Sequence, residues 1–374
     1  MKNSSTNFFI LEQHNSLLDT SHSLPTATQN SELRTQNSLV CTVKNEADNI
    51  AMLLDSMLAQ SRRPDEIVIN DCGSDDGTDA IVERYIAAGH SVRLVRGGFN
   101  IPSGRNNAIA HARGSIIACT DAGLTLAPDW FERIIAPLEQ GQADIVGGFF
   151  QPDARSTFEQ ALGATNYRTA EEIDPDSFLP FGQSVAFRKA AWDQVGGYPE
   201  WASHCEDLLF DMALKGAGYR FAFVPTALVH FRPRESVPAF ARQYFLYARG
   251  DGVARLWAKR HVIRYITYLG GGLLALLACK RPWLFLLHGL GVLAYCRKPW
   301  MRLRARASGN VGEQRLLHMS YSQQLKARMY VPLIRLVGDM VKMAGYPVGI
   351  IRRRRSAELR QQVSEYWTRI SAHV

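Results

Sequence analysis

Two aspartates, Asp71 and Asp121, each come just after a short apolar run that predicts a buried β-strand. The runs occupy 67–69 and 116–119, and each leads into a small turn. Carboxylates at the carboxyl ends of adjacent strands lie in the crevice where open α/β sheets bind ligands. Because the arrangement occurs twice within a short stretch of chain, it predicts one ligand site built from two strand ends.

The segments around these aspartates alternate between strand and helix patterns. Strands are predicted at 38–43, 66–70, 91–95, 115–120 and 143–150, with helices at 48–60, 78–88, 104–113 and 156–168. A strand running into a short helix follows at 181–197, then an amphipathic helix at 205–218 and a pair of strands at 221–231. This alternation predicts an α/β fold with a parallel sheet and helices on both faces.

The ends of the chain differ from this central region in composition. Residues 1–37 are rich in Ser, Thr, Asn and Gln and contain no apolar run like a signal peptide, so we interpret them as a disordered leader. The six cysteines show no CxxC spacing, which favours a reduced, cytoplasmic catalytic domain. From residue 296 onward there are 16 Lys or Arg residues and 4 Asp or Glu residues, so this tail has a net charge of +12, the rest of the chain −4, and the whole chain +8.

Two apolar runs precede the basic tail, at 265–279 and 283–295, with Lys280, Arg281 and Pro282 between them. Each is shorter than the ~20 residues that cross a bilayer, so a hairpin of interfacial helices is expected. A third stretch at 330–351 predicts an amphipathic helix on a membrane face, with a soluble helical subdomain as the alternative. An anionic membrane surface is the expected partner of this region. Nucleic acid is not, because no motif that reads it is present.

Six motifs resemble those of family 2 glycosyltransferases with the GT-A fold, of the membrane-associated bacterial type. In order along the chain they are VCTVKNEADNI, VINDCGSDDGT, RNNAIAHARG, TDAG, FGQSVAFRKAAWDQVGGYPE and CEDLLFDMALKGAGYRF. The resemblance covers 38–252. It implies a mostly parallel sheet flanked by helices at 38–255, followed by a basic helical region at 256–374, and it implies a hexosyltransferase.

The resemblance also implies where the nucleotide-sugar donor binds. The donor-binding residues it indicates are Thr42, Lys44, Glu46, Asp71, Asp75, Arg105 and Asp121. Asp71 is expected to accept hydrogen bonds from the base or ribose, and Arg105 to lie near the diphosphate or base. Helix capping is the alternative for Asp75 and Asp76, with Ser74 as a rival cap, and an exposed surface position is the alternative for Arg105.

A divalent cation, Mg²⁺ or Mn²⁺, is the expected cofactor, but the family's Asp-x-Asp triplet is here Asp121-Ala122-Gly123. One carboxylate is too few for such a cation without further oxygen ligands. His230 is the predicted second metal ligand beside Asp121, and a lone histidine at a strand end is the alternative. Arg232 and Arg234 could instead neutralise phosphate directly.

The acidic pair Glu206-Asp207 begins the amphipathic helix at 205–218. The resemblance places the catalytic base in this pair, at Asp207 first and Glu206 second. A favourable interaction with the helix dipole is the alternative for either. A single base without a nucleophilic partner implies direct displacement with inversion. The acceptor is expected at Gly182, Gln183 and Trp201, whereas Trp192 and Tyr198 are predicted to be core.

These inferences predict an inverting transferase acting on a lipid-linked or cell-envelope glycan at the cytoplasmic face of the plasma membrane. Gln243 and Arg249 do not form the motif of processive enzymes, so the addition of one or a few sugars is expected. The alternatives are a non-catalytic nucleotide-sugar-binding protein, which the acidic pair argues against, and a transferase with a lipid-phosphate donor. A dinucleotide-dependent oxidoreductase is excluded because 42–49 contain no glycine. A basic membrane adaptor does not explain the acidic crevice.

Overall fold

The computed structural model describes residues 36–307 and 319–371. The predicted leader lies outside these residues except for its last two positions, and Asn37 already begins the first strand. Within the described residues one sheet is formed by β1 (Asn37–Val43), β2 (Glu66–Asp71), β3 (Val92–Arg96), β4 (Ile116–Asp121), β5 (Leu124–Leu126), β6 (Ile145–Pro152), β7 (Val185–Arg188) and β8 (Phe221–Phe231). The α-helices are α1 (Ile50–Leu58), α2 (Thr78–Ala87), α3 (Ile101–His111), α4 (Trp130–Glu139), α5 (Thr157–Asn166), α6 (Lys189–Gln194), α7 (Glu206–Gly216), α8 (Val237–Ala254), α9 (Ala258–Ala278), α10 (Phe285–Ala307), α11 (Tyr321–Arg355) and α12 (Ala357–Ser371).

The strand order is β3-β2-β1-β4-β7-β6-β8-β5. Strands β1 to β4 pair in parallel, as the alternating pattern predicts. Beyond β4 the sheet is mixed, because β7 runs antiparallel between β4 and β6, and β5 runs antiparallel to β8. The segment 221–231 forms one continuous strand and not the expected pair. This strand pairs in parallel with β6, and the register of the pairing shifts between Gly147 and Phe149 of β6.

The strands are buried on both faces, since alternate side chains point to opposite sides of a sheet. Leu39 and Cys41 of β1 pack with α1 and α4 on one face, whereas Val40 packs with α3 and α7 on the other. Runs that are apolar at every position, which the sequence shows in β1, β2 and β4, are the pattern of such doubly covered strands. The helices therefore fix the sheet from both sides.

The register of the parallel strands brings the two acidic turns to one edge. Thr42 of β1 lies opposite Asp121 of β4, and Val43 lies opposite Asp71 of β2. Neighbouring strands lie about 4.8 Å apart. The ends of β2, β1 and β4 therefore form one continuous rim, as the sequence predicted.

Helix α3 begins three residues earlier than predicted. The side chain of Asn100 accepts a hydrogen bond from the Ser103 backbone N–H at 3.0 Å, and Pro102 occupies the first turn. Both are helix-start signals. In the first turn, Gly104 packs so closely against the rim that a side-chain carbon there would lie 2.5 Å from Thr42 Cγ2. This close approach places the next residue, Arg105, beneath the rim.

The C-terminal helices pack on the sheet domain through a third apolar cluster. Phe158 of α5, Phe240 of α8, Leu303 of α10 and Val331 of α11 are buried together. Helix α12 instead lies against α7, where the Tyr366 hydroxyl donates to the Leu209 carbonyl. The predicted amphipathic helix at 330–351 is part of α11. Its buried face packs on the protein, while apolar residues elsewhere on it remain exposed.

Helices α9 and α10 are longer than the apolar runs they contain, at 21 and 23 residues. The run at 265–279 is preceded in the same helix by residues 258–264, which complete α9. Among the described residues it is the one helix whose length and composition would allow a span, and only 11% of its apolar window is buried.

Candidate active site

Arg105 is the centre of the site. It is 3% exposed, and its Nη2 lies 2.6 Å from Asp121 Oδ1 at the end of β4. Its Nη1 lies 3.7 Å from Glu206 Oε1 at the start of α7, and its guanidinium stacks 4.9 Å above the Tyr198 ring. The alternative of an exposed surface arginine is therefore wrong. One buried cation joins the rim to the acidic pair.

The segment after residue 181 closes the crevice from the other side. A side-chain carbon at Gly182 would lie 2.8 Å from both Nη atoms of Arg105, so only glycine fits there without moving the guanidinium. The Gly182 N–H points to Asp207 Oδ2 at 3.5 Å, and the Gln183 carbonyl accepts from Thr120 Oγ1 at 3.0 Å. Gly182, one of the predicted acceptor residues, thus lies beside both Asp207 and Arg105.

The acidic pair lies where burial disfavours ionisation. The pKa of Glu206 is raised to about 7, by burial first and by the neighbouring Asp207 second, while Arg105 opposes both effects. Burial also raises the pKa of Asp207, whose Oδ1 accepts from the Leu208 N–H at 2.7 Å. One turn on, burial and then Asp207 raise the pKa of Asp211 well above its usual range. A carboxylate with a raised pKa is a stronger base once it is ionised.

Two buried polar atoms on the rim lack a hydrogen bond within the part of the chain that the structure describes. Among the described residues, Thr42 Oγ1 and Arg105 Nη1 make no hydrogen bond. Asp71 is also buried, and its Oδ1 accepts from the backbone N–H and hydroxyl of Ser74, at 3.0 and 2.6 Å. Because buried polar groups are nearly always hydrogen-bonded in folded proteins, the two orphaned atoms indicate a polar ligand in the crevice.

The remaining predicted donor residues lie on two loops that are joined to each other. Asn45, with φ 56°, accepts from the Asp75 N–H at 3.0 Å, and its own N–H donates to Ser74 Oγ at 2.9 Å. Lys44 and Asp75 are exposed, and Glu46 is half-buried. Asp76 has a structural role, because its carboxylate accepts from the Thr78 and Ala47 backbone N–H groups.

The predicted metal ligands are not gathered into one cluster. His230 lies on β8 opposite Thr125 and Gln151, and the described residues contain no group of three or more His, Cys, Asp or Glu side chains placed to hold a metal. Arg232 is paired with the buried Glu159 at 2.9 Å, which occupies its guanidinium. Burial lowers the pKa of His230. Its role as a ligand stays a prediction.

Trp201, a predicted acceptor residue, packs against α12. Its ring packs edge-on against Tyr366 of α12 at 5.7 Å, and it lines a surface cavity with His204 and Arg249. Tyr247 of α8 was missed by the sequence reasoning. Its ring centre lies 6.4 Å from that of His204, and its hydroxyl accepts a 2.8 Å hydrogen bond from Gln243 Nε2. Burial and then the charge of Asp207 raise the pKa of Tyr247. No local signal separates it from the other aromatic residues of α8.

The similarity to known proteins lies in the part of the chain that contains the rim and Arg105. The family model "Glycosyl transferase family 2" matches residues 38–194. The "Succinoglycan biosynthesis protein ExoA" of Rhizobium meliloti is 32% identical over 232 residues, which are 58% of this chain and 69% of that protein. "Glycosyltransferase AglE" of Haloferax volcanii is 25% identical over 59% of this chain and 73% of its own length.

Among solved structures, the mannosyltransferase PcManGT from Pyrobaculum calidifontis in complex with GDP-Man and Mn²⁺ aligns with a TM-score of 0.49. Its sequence identity is 19%, over 86% of this chain and 87% of that chain. The matched family region contains the rim, Arg105 and Gly182, and the relative of 32% identity aligns over most of its own length. The chain is therefore an α/β enzyme of the GT-A type that belongs to glycosyltransferase family 2.

Proposed function

We propose that this enzyme moves a sugar from a nucleoside-diphosphate donor to a hydroxyl group, with inversion at the anomeric carbon. The observation that carries the proposal is the buried Arg105, held between Asp121 and Glu206 with its Nη1 lacking a hydrogen-bond partner among the described residues. A cation in this position can neutralise the charge that develops on a departing diphosphate. The orphaned Thr42 Oγ1 provides a second polar contact on the same rim.

Asp207 is the proposed base. It removes the proton from the acceptor hydroxyl, whose oxygen bonds to the anomeric carbon while the bond from that carbon to the diphosphate oxygen breaks. The Leu208 N–H holds the carboxylate in place. Glu206, which faces Arg105, positions the guanidinium and is the second candidate for the base. Because one carboxylate acts without a covalent intermediate, the displacement inverts the configuration.

The nucleotide is proposed to lie over the ends of β1 and β2. Asp71, buried and fixed by Ser74, is placed to accept from ribose or base. Lys44 and Asp75, on the two joined loops, border that position and remain available to a ligand because their side chains are exposed. This arrangement supports the donor-binding set expected from the resemblance.

Asp121 and Glu46 would hold the divalent cation. Glu46 Oε2 lies 4.0 Å from the position a side-chain carbon would take at Gly123, so its carboxylate stands beside the place of the missing second aspartate. Mg²⁺ commonly binds through one or two carboxylates together with substrate phosphates, which fits this pair. The ion would neutralise the diphosphate when bound. His230 would supply a further ligand only if the donor brings it and Asp121 together.

The acceptor is proposed to be a lipid-linked or cell-envelope glycan, and the enzyme to act on the cytoplasmic face of the plasma membrane. The R. meliloti relative is named for succinoglycan biosynthesis. Helices α9 and α10 expose many large apolar side chains, including Leu269 and Leu276 at 70% each. Contiguous exposed apolar surface of this kind marks interaction with a membrane or a partner. The basic tail supports an anionic lipid surface.

The test is Asp207→Asn in the full chain, purified in neutral detergent. Calorimetry against UDP, GDP and their sugars, with Mn²⁺ or Mg²⁺, identifies the donor. Release of nucleoside diphosphate, with a bacterial membrane-lipid extract as acceptor, then measures turnover. Donor affinity should stay within about twofold, while turnover falls about 10²- to 10⁴-fold, the usual contribution of a general base.

The exposed Asp193→Asn on α6 is the matched control, with turnover like that of the wild type. If donor affinity and turnover fell together in Asp207→Asn, the base assignment would be wrong. If no nucleotide bound the wild-type enzyme, the nucleotide-sugar donor itself would have to be abandoned.

A further inference from the structure

A surface cavity lies beside the start of α7, separate from the Arg105 crevice. It contains about 310 Å³ of empty space, its open mouth included, and its walls include Trp201, Ser203, His204, Arg249 and Arg352. We call it the basic cavity.

Two close helix contacts build the basic cavity. A side-chain carbon at Gly250 would lie 2.8 Å from His204 Cβ, so α8 can approach His204, two residues before α7, only through glycine. On the other side, a side-chain carbon at Gly349 of α11 would collide with the Arg249 carbonyl. Arg352 follows one helical turn after Gly349, on the same face of α11. Glycine packing therefore brings three basic side chains from three elements together.

Arg249 and Arg352 of the basic cavity make no ion pair with the residues that the structure describes. Within the described residues, no carboxylate oxygen lies within 4 Å of a side-chain nitrogen of Arg249 or Arg352. Burial lowers the pKa of Arg249, and Arg352 lowers it further. Burial, Arg249 and Arg352 in turn lower the pKa of His204. The helix dipole favours Arg352 in the last turn of α11, but Arg249 lies more than a turn before the end of α8.

The residues of the basic cavity are close along the chain to both the proposed base and the first apolar helix. His204 is followed directly by Cys205, Glu206 and Asp207, and Tyr247 packs against it. On the other side, α8 ends at Ala254 and α9 begins at Ala258. One wall of the basic cavity is therefore formed by residues that directly precede α7, and another by α8, which ends shortly before α9 begins.

We propose that the basic cavity binds the phosphate or diphosphate group that joins the acceptor glycan to its lipid. Arg249 and Arg352 donate to the phosphate oxygens, as guanidinium groups commonly do, and the His204 imidazole provides a further N–H. The lipid chain then continues toward α9, and the first sugar lies toward Asp207. This inference rests on the proposed function, because it assigns the acceptor side of the same reaction.

The test uses farnesyl diphosphate as a probe of a lipid diphosphate, with the full chain in neutral detergent. Its affinity is compared among wild type, Arg249→Gln, Arg352→Gln and the control Arg354→Gln. Arg354 is an exposed arginine on the opposite side of α11. Each of the first two substitutions should weaken binding at least about tenfold, since a hydrogen bond to a charged group contributes on this scale. The control should stay within about twofold of wild type.

Binding measurements with two further ligands, the donor nucleotide and phosphatidylglycerol vesicles, distinguish the possible sources of the bound phosphate group. Binding of the donor nucleotide should be equal in all four proteins, which also shows that each is folded. If Arg249→Gln and Arg352→Gln weakened donor binding, the cavity would belong to the donor. If they weakened binding to phosphatidylglycerol vesicles but not to farnesyl diphosphate, it would hold a phospholipid headgroup.

Unchanged affinity for farnesyl diphosphate in both variants would also overturn the inference. The proposed function fails by a different result, which is absence of nucleotide binding in the wild type.

Discussion

The raised pKa of Glu206 makes a quantitative prediction about folding stability. A glutamic acid pKa raised from 4.5 to about 7 means that ionisation of the folded protein is about 3 kcal/mol less favourable than ionisation of the unfolded chain. Below pH 4.5 the Glu206 carboxyl is protonated in both states, so it does not lower the free energy of unfolding. As the pH rises toward 7, the unfolded chain ionises first, so the wild type progressively loses stability through this group.

The substitution Glu206→Gln removes the titrating proton while keeping nearly the same shape. Relative to wild type, the variant should therefore gain stability with rising pH, from no gain near pH 4.5 to about 3 kcal/mol at pH 8. Asp207 titrates in both proteins, so its contribution largely cancels in the difference. Urea unfolding of the detergent-solubilised full chain, followed by tryptophan fluorescence at pH 4.5, 6, 7 and 8, measures the gain directly.

The exposed Glu171→Gln is the matched surface control. A stability difference between Glu206→Gln and wild type that does not change with pH would refute the reasoning. A difference that grew as the pH fell would go further, because it would mean that attraction to Arg105 outweighs burial at this carboxylate.

Three further predictions concern the crevice and the helices. Gly182→Ala should lower turnover about 10- to 100-fold with little change in melting temperature, because its side-chain carbon displaces the Arg105 guanidinium; turnover and thermal unfolding are measured together. Asp339→Ala should destabilise the protein by about 3 kcal/mol in urea unfolding, because its buried carboxylate accepts from one arginine and two tyrosines on α9 and α10, at 2.6–3.0 Å. The double substitution Leu269→Ser/Leu276→Ser should reduce flotation with phosphatidylglycerol vesicles, because it removes two exposed apolar side chains from one face of α9.

Each of these has a contrary result. Unchanged turnover in Gly182→Ala would show that the guanidinium position does not matter for transfer. An unchanged unfolding midpoint in Asp339→Ala would mean that α9 and α10 are held by apolar packing alone. For the vesicles, Met52→Ser/Ile86→Ser on α1 and α2 is the control, and equal loss of flotation in both pairs would remove α9 as the membrane contact.

Much of the fold could be predicted because the relevant signals are local. Continuous apolar runs identify β1, β2 and β4 as doubly covered strands, and a terminal aspartate on two of them locates the rim. The start of α3 at Ile101 could also have been predicted from the sequence, because Asn100, Pro102 and Ser103 form a standard helix-start signal. β5 was missed because three residues carry no period of their own, and its pairing with β8 alone makes it a strand.

The sequence by itself determined which residue types stand at the strand ends and at the start of α7, because burial pattern and turn chemistry act over a few residues. Only the tertiary structure decided which of them meet. Arg105 joins Asp121 to Glu206 because α3 packs through Gly104 against β1, and the basic cavity exists because glycines let α8 and α11 touch. Ion pairs and desolvation depend on distances between residues far apart in the chain. A linear pattern does not contain those distances, and only packing sets them.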